Sequence, residues 1–564
     1  MTTNTARPWI SHYEAGVPST LVYPDQPLQH FLEQAARAHG DRVATVFFKG
    51  KLTYAQLNAL ADRFAAGLQS LGVKKGDRVA VLLPNSPQFI IAFYGALKAG
   101  ATVVPTNPLY TADELARQVN DSGADTLICL SKFWSTVDAA RKTMKARNII
   151  VTNIKEYFPP LTKLLFTLAR EKKDGHRADL PADPGVRRWS AVMSAAPAQP
   201  EPVALNPSDL AVLQYTGGTT GVPKGAMLSH GNLVSNALMV KNWSLAREAQ
   251  EIMLGVIPFF HVYGLTVGMN MSIASAATMV LLPRFDLVDV LRTIDKERPT
   301  FFPGVPTMYI AINNHKGVKD YDLRSVRACI SGAAPLPLEV SKAFEALSGG
   351  KLVEGYGLSE ASPVAASNPL NGERREGIGL PFPDTLMRLV DIESGERDVA
   401  LGDPGEIIIQ GPQVMQGYWQ RPSDTASVIR NGWLYTGDIG TMDADGYFKI
   451  VDRKKDMIIA SGFKIYPREV EEIVYAHPKV KEAVVVGIPD KYRGETVKLY
   501  VVVKDGETLT AEDLHAYCKE HLTNYKRPAM IEFRDSLPKT MIGKMLRRVL
   551  VEEERVKQRA QAGS

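Results

Sequence analysis

Apolar positions set the first expectations. Leu57, Leu60, Ala61, Phe64 and Leu68 recur at helical spacing, which predicts an amphipathic helix ahead of Gly72. The polar turn Lys74–Asp77 follows, and the apolar run from Val79 to Leu83 reads as a buried strand. A second apolar helix is predicted near Phe89–Lys98, and Gly100 leads into the short strand Thr102–Pro105. Such alternation predicts parallel sheets with helices on their faces.

Further along, Pro197, Pro200, Pro202 and Pro207 mark a connector. From about Glu376 to Ile450 short strands and Gly/Pro turns dominate, and the pattern changes again after Asp452. Helices are predicted over Arg468–Ala476 and Glu512–Leu522, and strands over Ala483–Gly487 and Lys498–Val503. With 564 residues the chain is too long for one core. The division expected is a large unit over 1–452 and a small α+β unit over 453–564, with the boundary at 452–456.

Composition narrows the classes. Hydrophobic residues make up 45% of the chain and charged ones 23%, as in ordinary globular proteins. No apolar run is long and charge-free enough to span a bilayer, the first residues lack a signal core, and the chain ends without a peroxisomal address. A cytoplasmic protein is expected. A net charge of +5 and the lack of a reading motif argue against nucleic acid. Cys129, Cys329 and Cys518 are far apart, fit no metal spacing and are expected to be reduced packing residues.

The densest chemical signal is YTGGTTGVPKG, from Tyr215 to Gly225. Glycines without side chains let backbone N–H groups turn toward an anion. Thr216, Thr219 and Thr220 add hydroxyls and Lys224 a positive charge, so the loop suits a polyphosphate. It is not the nucleoside-triphosphatase loop, because Pro223 precedes Lys224 and Gly225 follows it.

The later motifs are SGAAPL from Ser331, EGYGLSE from Glu354, WLYTGDIG from Trp433, DRKKDMI from Asp452, SGFKIYPREVE from Ser461 and LPKTMIGKMLRR from Leu537. With the loop, in this order, they resemble the adenylate-forming acyl-CoA synthetases from about Leu52 to Arg548. The segment from Asn431 to Lys455 resembles the fatty-acyl-CoA synthetase signature, with Tyr435 where His is common. The resemblance implies an α/β fold: a large N-terminal domain of two α/β subdomains plus a small β-barrel-like subdomain, and a smaller, mobile α+β C-terminal domain. It implies that ATP activates a fatty acid, expected to be long-chain, to an acyl-adenylate, and that CoA then takes the acyl group.

Residue by residue, the resemblance places β- and γ-phosphates on Thr216, Gly217, Gly218, Thr219, Thr220, Gly221 and Lys224. It places Mg²⁺ on Glu360 with Thr216, and the α-phosphate near Ser359. Gly332, Ala333 and Ala334 would line the adenine slot with Tyr356 stacking; Glu354, Gly355 and Gly357 belong to the same nucleotide-binding set. Asp438 would bind the ribose hydroxyls, helped by Arg453 and Lys455. Lys544, which in isolation reads as part of a basic run with Arg547 and Arg548, would bridge carboxylate and α-phosphate. His261 would form the polar edge of an acyl pocket with Gly264 and Gly357, whereas His230 is expected to be structural. Ser461, Gly462, Phe463 and Lys464 would line the CoA channel.

Gly357 stands where acetate-specific relatives carry Trp, so a tunnel is expected to continue past it toward Gly264 and Gly268. Medium-chain and aryl acids stay open as alternatives, as does a silent nucleotide- or acyl-binding relative. A peptide-synthetase module is disfavoured because PFFHVYG, from Pro258 to Gly264, has no Asp for a substrate amine. In 157–173, Leu161, Leu164, Leu165 and Leu168 fall on one helical face beside Lys163, Arg170, Lys172 and Lys173. This face is expected either to pack on its own domain or to rest on a membrane. A homodimer is also left open.

Overall fold

The computed structural model describes residues 7–216, 223–461, 463–490, 492–540 and 545–562, with side chains to residue 557. The expected early elements form. The helix Tyr54–Ser70 starts at a capping box in which Thr53 and Gln56 exchange side-chain and backbone bonds. The helix Pro87–Lys98 is buried along its whole length. Their neighbouring strands join a seven-stranded sheet in the order Val186–Arg188, Asn148–Thr152, Thr126–Leu130, Arg78–Leu82, Thr102–Pro105, Leu210–Thr216, Lys224–Ser229. All of its pairings are parallel except the last. The apolar runs in these strands reflect burial on both faces.

A second sheet uses chain segments far apart in sequence. Val43–Phe47 pairs with its hairpin partner Gly50–Thr53 and also, in parallel, with Thr278–Leu281. Ile252–Gly255 lies beyond. Phe301 bridges Met253 to Ala328, which continues the sheet into Ala328–Ser331, Lys351–Gly357, Val364–Ser367 and Leu380–Pro381. The small β unit is a five-stranded antiparallel sheet that includes Gly405–Gln410, Trp433–Met442 and Phe448–Arg453.

After residue 456 the long hairpin Val480–Asp490 and Gly494–Val503, the short strand Met530–Phe533 and the helices Pro467–Tyr475 and Ala511–His521 enclose a separate apolar cluster. Both helices and both strands expected here are present, the strands longer than the sequence pattern suggests. The three cysteines are free and buried. Among the described residues, no helix is long and apolar enough to cross a membrane.

His230 is fully buried at the start of the helix His230–Trp243. Its Nδ1 accepts the Leu28 N–H at 3.1 Å, which requires the neutral ring and fits the structural role expected for it. Burial lowers its pKa to about 4; burial and Lys132 do the same to His176. The unfolded chain therefore binds protons that the folded one refuses between about pH 6.5 and 4. Stability from these two residues is complete above pH 6.5 and falls as the pH drops toward 4. Asp452, raised to about 6 by burial, opposes this below pH 6, as do Glu354 and Glu156, raised by the same cause, whereas His261, lowered to about 4 by burial, adds to it. The thermal unfolding midpoint is expected to be lower at pH 5 than at pH 7, with a smaller difference in His230→Gln; scanning fluorimetry at the two pH values checks it.

Candidate active site

The polyphosphate motif lies at the end of the seven-stranded sheet. Leu210–Thr216 and Lys224–Ser229 form an antiparallel hairpin that closes on the pair Thr216–Lys224. Gly217, Gly218, Thr219, Thr220 and Gly221, between those two residues in sequence, lie outside the described residues. Lys224 is not a free cation: its Nζ is 2.5 Å from Asp424 Oδ1 and 5.4 Å from the Tyr418 ring centre. The outer edge of this hairpin is sealed by residues 416–419. Gln416 N–H donates to Met227 O, Met227 N–H to Gly417 O and Trp419 N–H to Gly225 O, at 2.8–2.9 Å.

A second set comes from the other sheet. The strand Lys351–Gly357 carries Glu354, Gly355, Tyr356 and Gly357, and runs into the single turn Ser359–Ala361 with Glu360. Tyr356 donates its hydroxyl to Asp438 Oδ2 at 2.7 Å. Asp438 Oδ1 lies 3.0 Å from Arg453 Nε, because Asp438 and Arg453 are paired across adjacent strands. Three residues scattered over the sequence thus form one cluster around a carboxylate that is 3% exposed. Burial and Asp438 raise the Tyr356 pKa, and Asp438 raises that of Arg453; the phenol stays protonated and the guanidinium charged. Each Asp438 oxygen has two lone-pair directions and keeps one for a ligand hydroxyl. Lys455 is exposed nearby in sequence.

Gly332, Ala333 and Ala334 follow the strand Ala328–Ser331. Ala333 has φ +69°, a left-handed conformation that alanine seldom adopts. A Cβ on Gly332 would sit 3.3 Å from the Tyr263 ring, whose hydroxyl donates to Ile330 O at 2.5 Å. Glu354 Oε2 accepts the Leu336 N–H at 3.2 Å, which ties the strand to the 333–336 turn.

His261 is half-buried, its ring 4.5 Å from that of Phe260. Loss of water lowers its pKa to about 4, so near pH 7 it offers a neutral imidazole and no charge. Gly264 and Gly268 lie on a π-helical segment, Gly264–Asn270, a wider winding common at functional sites. The glycines do more than leave room. A Cβ at Gly264 would meet Pro258 O at 2.3 Å, and one at Gly357 would meet Pro363 O at 2.0 Å. Glycine at 357 is thus required by a close approach of backbone, whatever the length of the acyl chain, and chain length cannot be read from it alone.

Glu360 is fixed by a partner the sequence reading missed. Tyr418 donates its hydroxyl to Glu360 Oε1 at 2.7 Å, and Met415 N–H donates to Glu360 O at 2.8 Å. The only outward signal of Tyr418 is an aromatic pair after a turn glycine, Gly417-Tyr418-Trp419. Among the described residues no group of three or more His, Cys, Asp or Glu could hold a metal. A single carboxylate such as Glu360 suits a magnesium ion that keeps phosphate oxygens and water as its other ligands.

In the C-terminal unit, Lys464 pairs with Glu393 at 2.8 Å, and Phe463 stacks on Tyr525 with centroids 4.6 Å apart. Ser461 is exposed. Gly462 and Lys544 lie outside the described residues.

Comparison with known proteins matches this arrangement. The model of the family described as AMP-binding enzyme matches residues 32–419, and that of the AMP-binding enzyme C-terminal domain matches 469–544. A long-chain-fatty-acid–CoA ligase of Bacillus subtilis (strain 168) is 46% identical, covering 97% of this chain and 98% of its own. A ligase of the same description from Escherichia coli O157:H7 is 40% identical over the same shares. Among solved structures, ATP-bound MatB from Rhodopseudomonas palustris superposes with a TM-score of 0.81 at 29% identity, covering 94% of this chain and 99% of that one. The anthranilate CoA ligase AuaEII with anthranoyl-AMP gives a TM-score of 0.83 at 26% identity, covering 94% and 97%. The order of the sheets, the clustering of Tyr356, Asp438 and Arg453, and similarity along nearly the whole length agree: the chain belongs to the AMP-binding enzyme family.

Proposed function

We propose that this chain is an acid–thiol ligase that activates a long-chain fatty acid with ATP and transfers it to CoA. The observation that carries this reading is the meeting of three sheets at one place: the phosphate-loop hairpin from the first, Tyr356 with the turn of Glu360 from the second, and Asp438 with Arg453 from the small β unit. Full-length similarity to ligases named for long-chain fatty acids supports the choice of acid.

The chemistry follows from leaving groups. A carboxylate cannot expel oxide, but its oxygen can attack the α-phosphorus of ATP. The bond to pyrophosphate breaks, leaving an acyl-adenylate. The CoA thiol then gives up its proton and attacks the acyl carbon, and AMP departs. The acid is already ionised near neutrality, so the first step needs alignment and charge balance rather than a general base.

On this reading Asp438 accepts from the ribose hydroxyls, Tyr356 borders the base, and Gly332, Ala333 and Ala334 wall the other side. Ser359 reaches the α-phosphate, and Lys224 exchanges Asp424 for phosphate oxygens. Glu360 and Thr216 hold magnesium, which when bound offsets charge on the phosphates. Neutral His261 orients the carboxylate without competing for its charge. Lys544 bridges the two anions during adenylate formation. The unit 453–564 turns about 452–456 so that Ser461, Gly462, Phe463 and Lys464 line the thiol's approach in the second step.

The helix Pro160–Ala169 adds a place of work. It buries none of its residues, and Leu161, Leu164, Leu165 and Leu168 are 55–77% exposed on one face. Its other face is anchored by Phe166, which packs edge-on against Phe158 and His176. The exposed Phe48 stands against Phe158 from the neighbouring turn, rings 4.8 Å apart. Lys172 and Lys173 are exposed beside the helix. An apolar face edged by cations fits the surface of an anionic bilayer, where long-chain acids partition, and each cation adds about 1 kcal/mol there.

Three outcomes are expected. With ATP, magnesium and CoA, AMP release is fastest with palmitate or oleate, slower with octanoate and coumarate, and absent with acetate; a preference for coumarate would transfer the reading to aryl acids. Lys544→Ala abolishes exchange of labelled pyrophosphate into ATP but preserves thiol transfer from preformed acyl-adenylate; equal loss of both contradicts the division of labour. At low salt the protein floats with vesicles containing anionic lipid, and Leu164→Glu with Leu168→Glu releases it; a wild-type protein that stays at the bottom of the gradient removes the membrane contact.

A further inference from the structure

Three distant chain segments meet at Tyr418, a side chain only 9% exposed. Its backbone forms an antiparallel bridge with Ala226, beside the point where the phosphate-loop hairpin closes. Its ring lies under Lys224, and its hydroxyl donates to Glu360. A tyrosine hydroxyl carries its proton near neutrality, and at 2.7 Å it acts on that carboxylate as a donor. Glu360 Oε2 accepts no hydrogen bond among the described residues.

The main chain around Glu360 does not depend on this hydroxyl. Met415 N–H holds Glu360 O, and Ser362 Oγ donates to Gln413 O at 2.8 Å. One backbone hydrogen bond and one from the Ser362 hydroxyl therefore fix the turn, and the phenol is left with one task, the direction of the carboxylate. A glutamate side chain free to choose among rotamers would spend part of its time away from a ligand. Engaging Oε1 keeps Oε2 available in one direction.

We propose that Tyr418 is a positioning residue that aims Glu360 at the nucleotide-borne metal and fixes that carboxylate relative to the exit of the phosphate loop. The proposal rests on the reading that Glu360 is the metal's protein ligand. Because the same segment pairs with Gly225 and Met227, the carboxylate and the hairpin are held to one frame. Partners of this kind outside the ligand set change metal affinity by about tenfold or more.

The test uses Mn²⁺ as the metal and α,β-methylene-ATP as the nucleotide, with free Mn²⁺ read by electron paramagnetic resonance. Tyr418→Phe is expected to require about tenfold more Mn²⁺ for half-saturation, with an unchanged thermal midpoint and unchanged affinity for the metal-free analogue. Glu360→Asp, whose shorter side chain withdraws the carboxylate from the hydroxyl, should show a similar loss with Tyr418 intact. In Tyr418→Phe/Glu360→Asp the losses should not add, because one residue acts through the other. Wild-type affinity in Tyr418→Phe, additive losses, or wild-type protein that binds the analogue without recruiting Mn²⁺ each overturns the proposal. If the Mn²⁺ differences appear but wild-type protein exchanges no pyrophosphate with any acid, the positioning role stands and the ligase reading falls.

Discussion

A carboxylate taken out of water must be given partners, and Asp438 is that carboxylate. At 3% exposure, an unpaired charge there would cost several kcal/mol. Its partners come from different parts of the architecture: Tyr356 from the second large sheet and Arg453 from the small β unit. The requirement to satisfy one acid thus locks two layers together at the place proposed for the nucleotide. The neighbouring strand placements follow, since Tyr356 lies in the strand that leads directly to Glu360, and Arg453 ends the strand that leads to the C-terminal unit.

The local parts of this architecture were readable from the chain. The helix Tyr54–Ser70 shows its apolar stripe, its capping pair and its terminating glycine within a single window, and Arg78–Leu82 is a bounded apolar run. The strand Val43–Phe47 is different: its partner Thr278–Leu281 is more than two hundred positions away, and nothing in either segment names the other. The active-site cluster has the same character. Motif resemblance pointed to Asp438, Tyr356 and Arg453 one by one, but their hydrogen bonds exist only once two sheets have packed.

Glycine and tyrosine show the limit from opposite sides. Gly357 suggests open space for a substrate when read in sequence; folded, its missing Cβ is claimed by Pro363 O. Tyr418 carries no signal in isolation and is defined by what its hydroxyl, ring and backbone each touch. The cations follow this pattern too. Lys224 reads as a phosphate ligand but rests on Asp424, and Lys464 reads as part of a substrate channel but rests on Glu393. A charge seen in sequence has no counterion until the fold supplies one.

The seal along Lys224–Ser229 has a consequence for assembly. A terminal strand with unpaired backbone groups is a template for another chain. Here residues 416–419 occupy those groups, so the seven-stranded sheet does not end in a naked rim on that side. The match to the AMP-binding enzyme model ends at Trp419, the last residue of that cover. A fragment cut just before residue 416 would keep every strand of the sheet but leave the backbone groups of Gly225 and Met227 unpaired, a border open to strands of other chains.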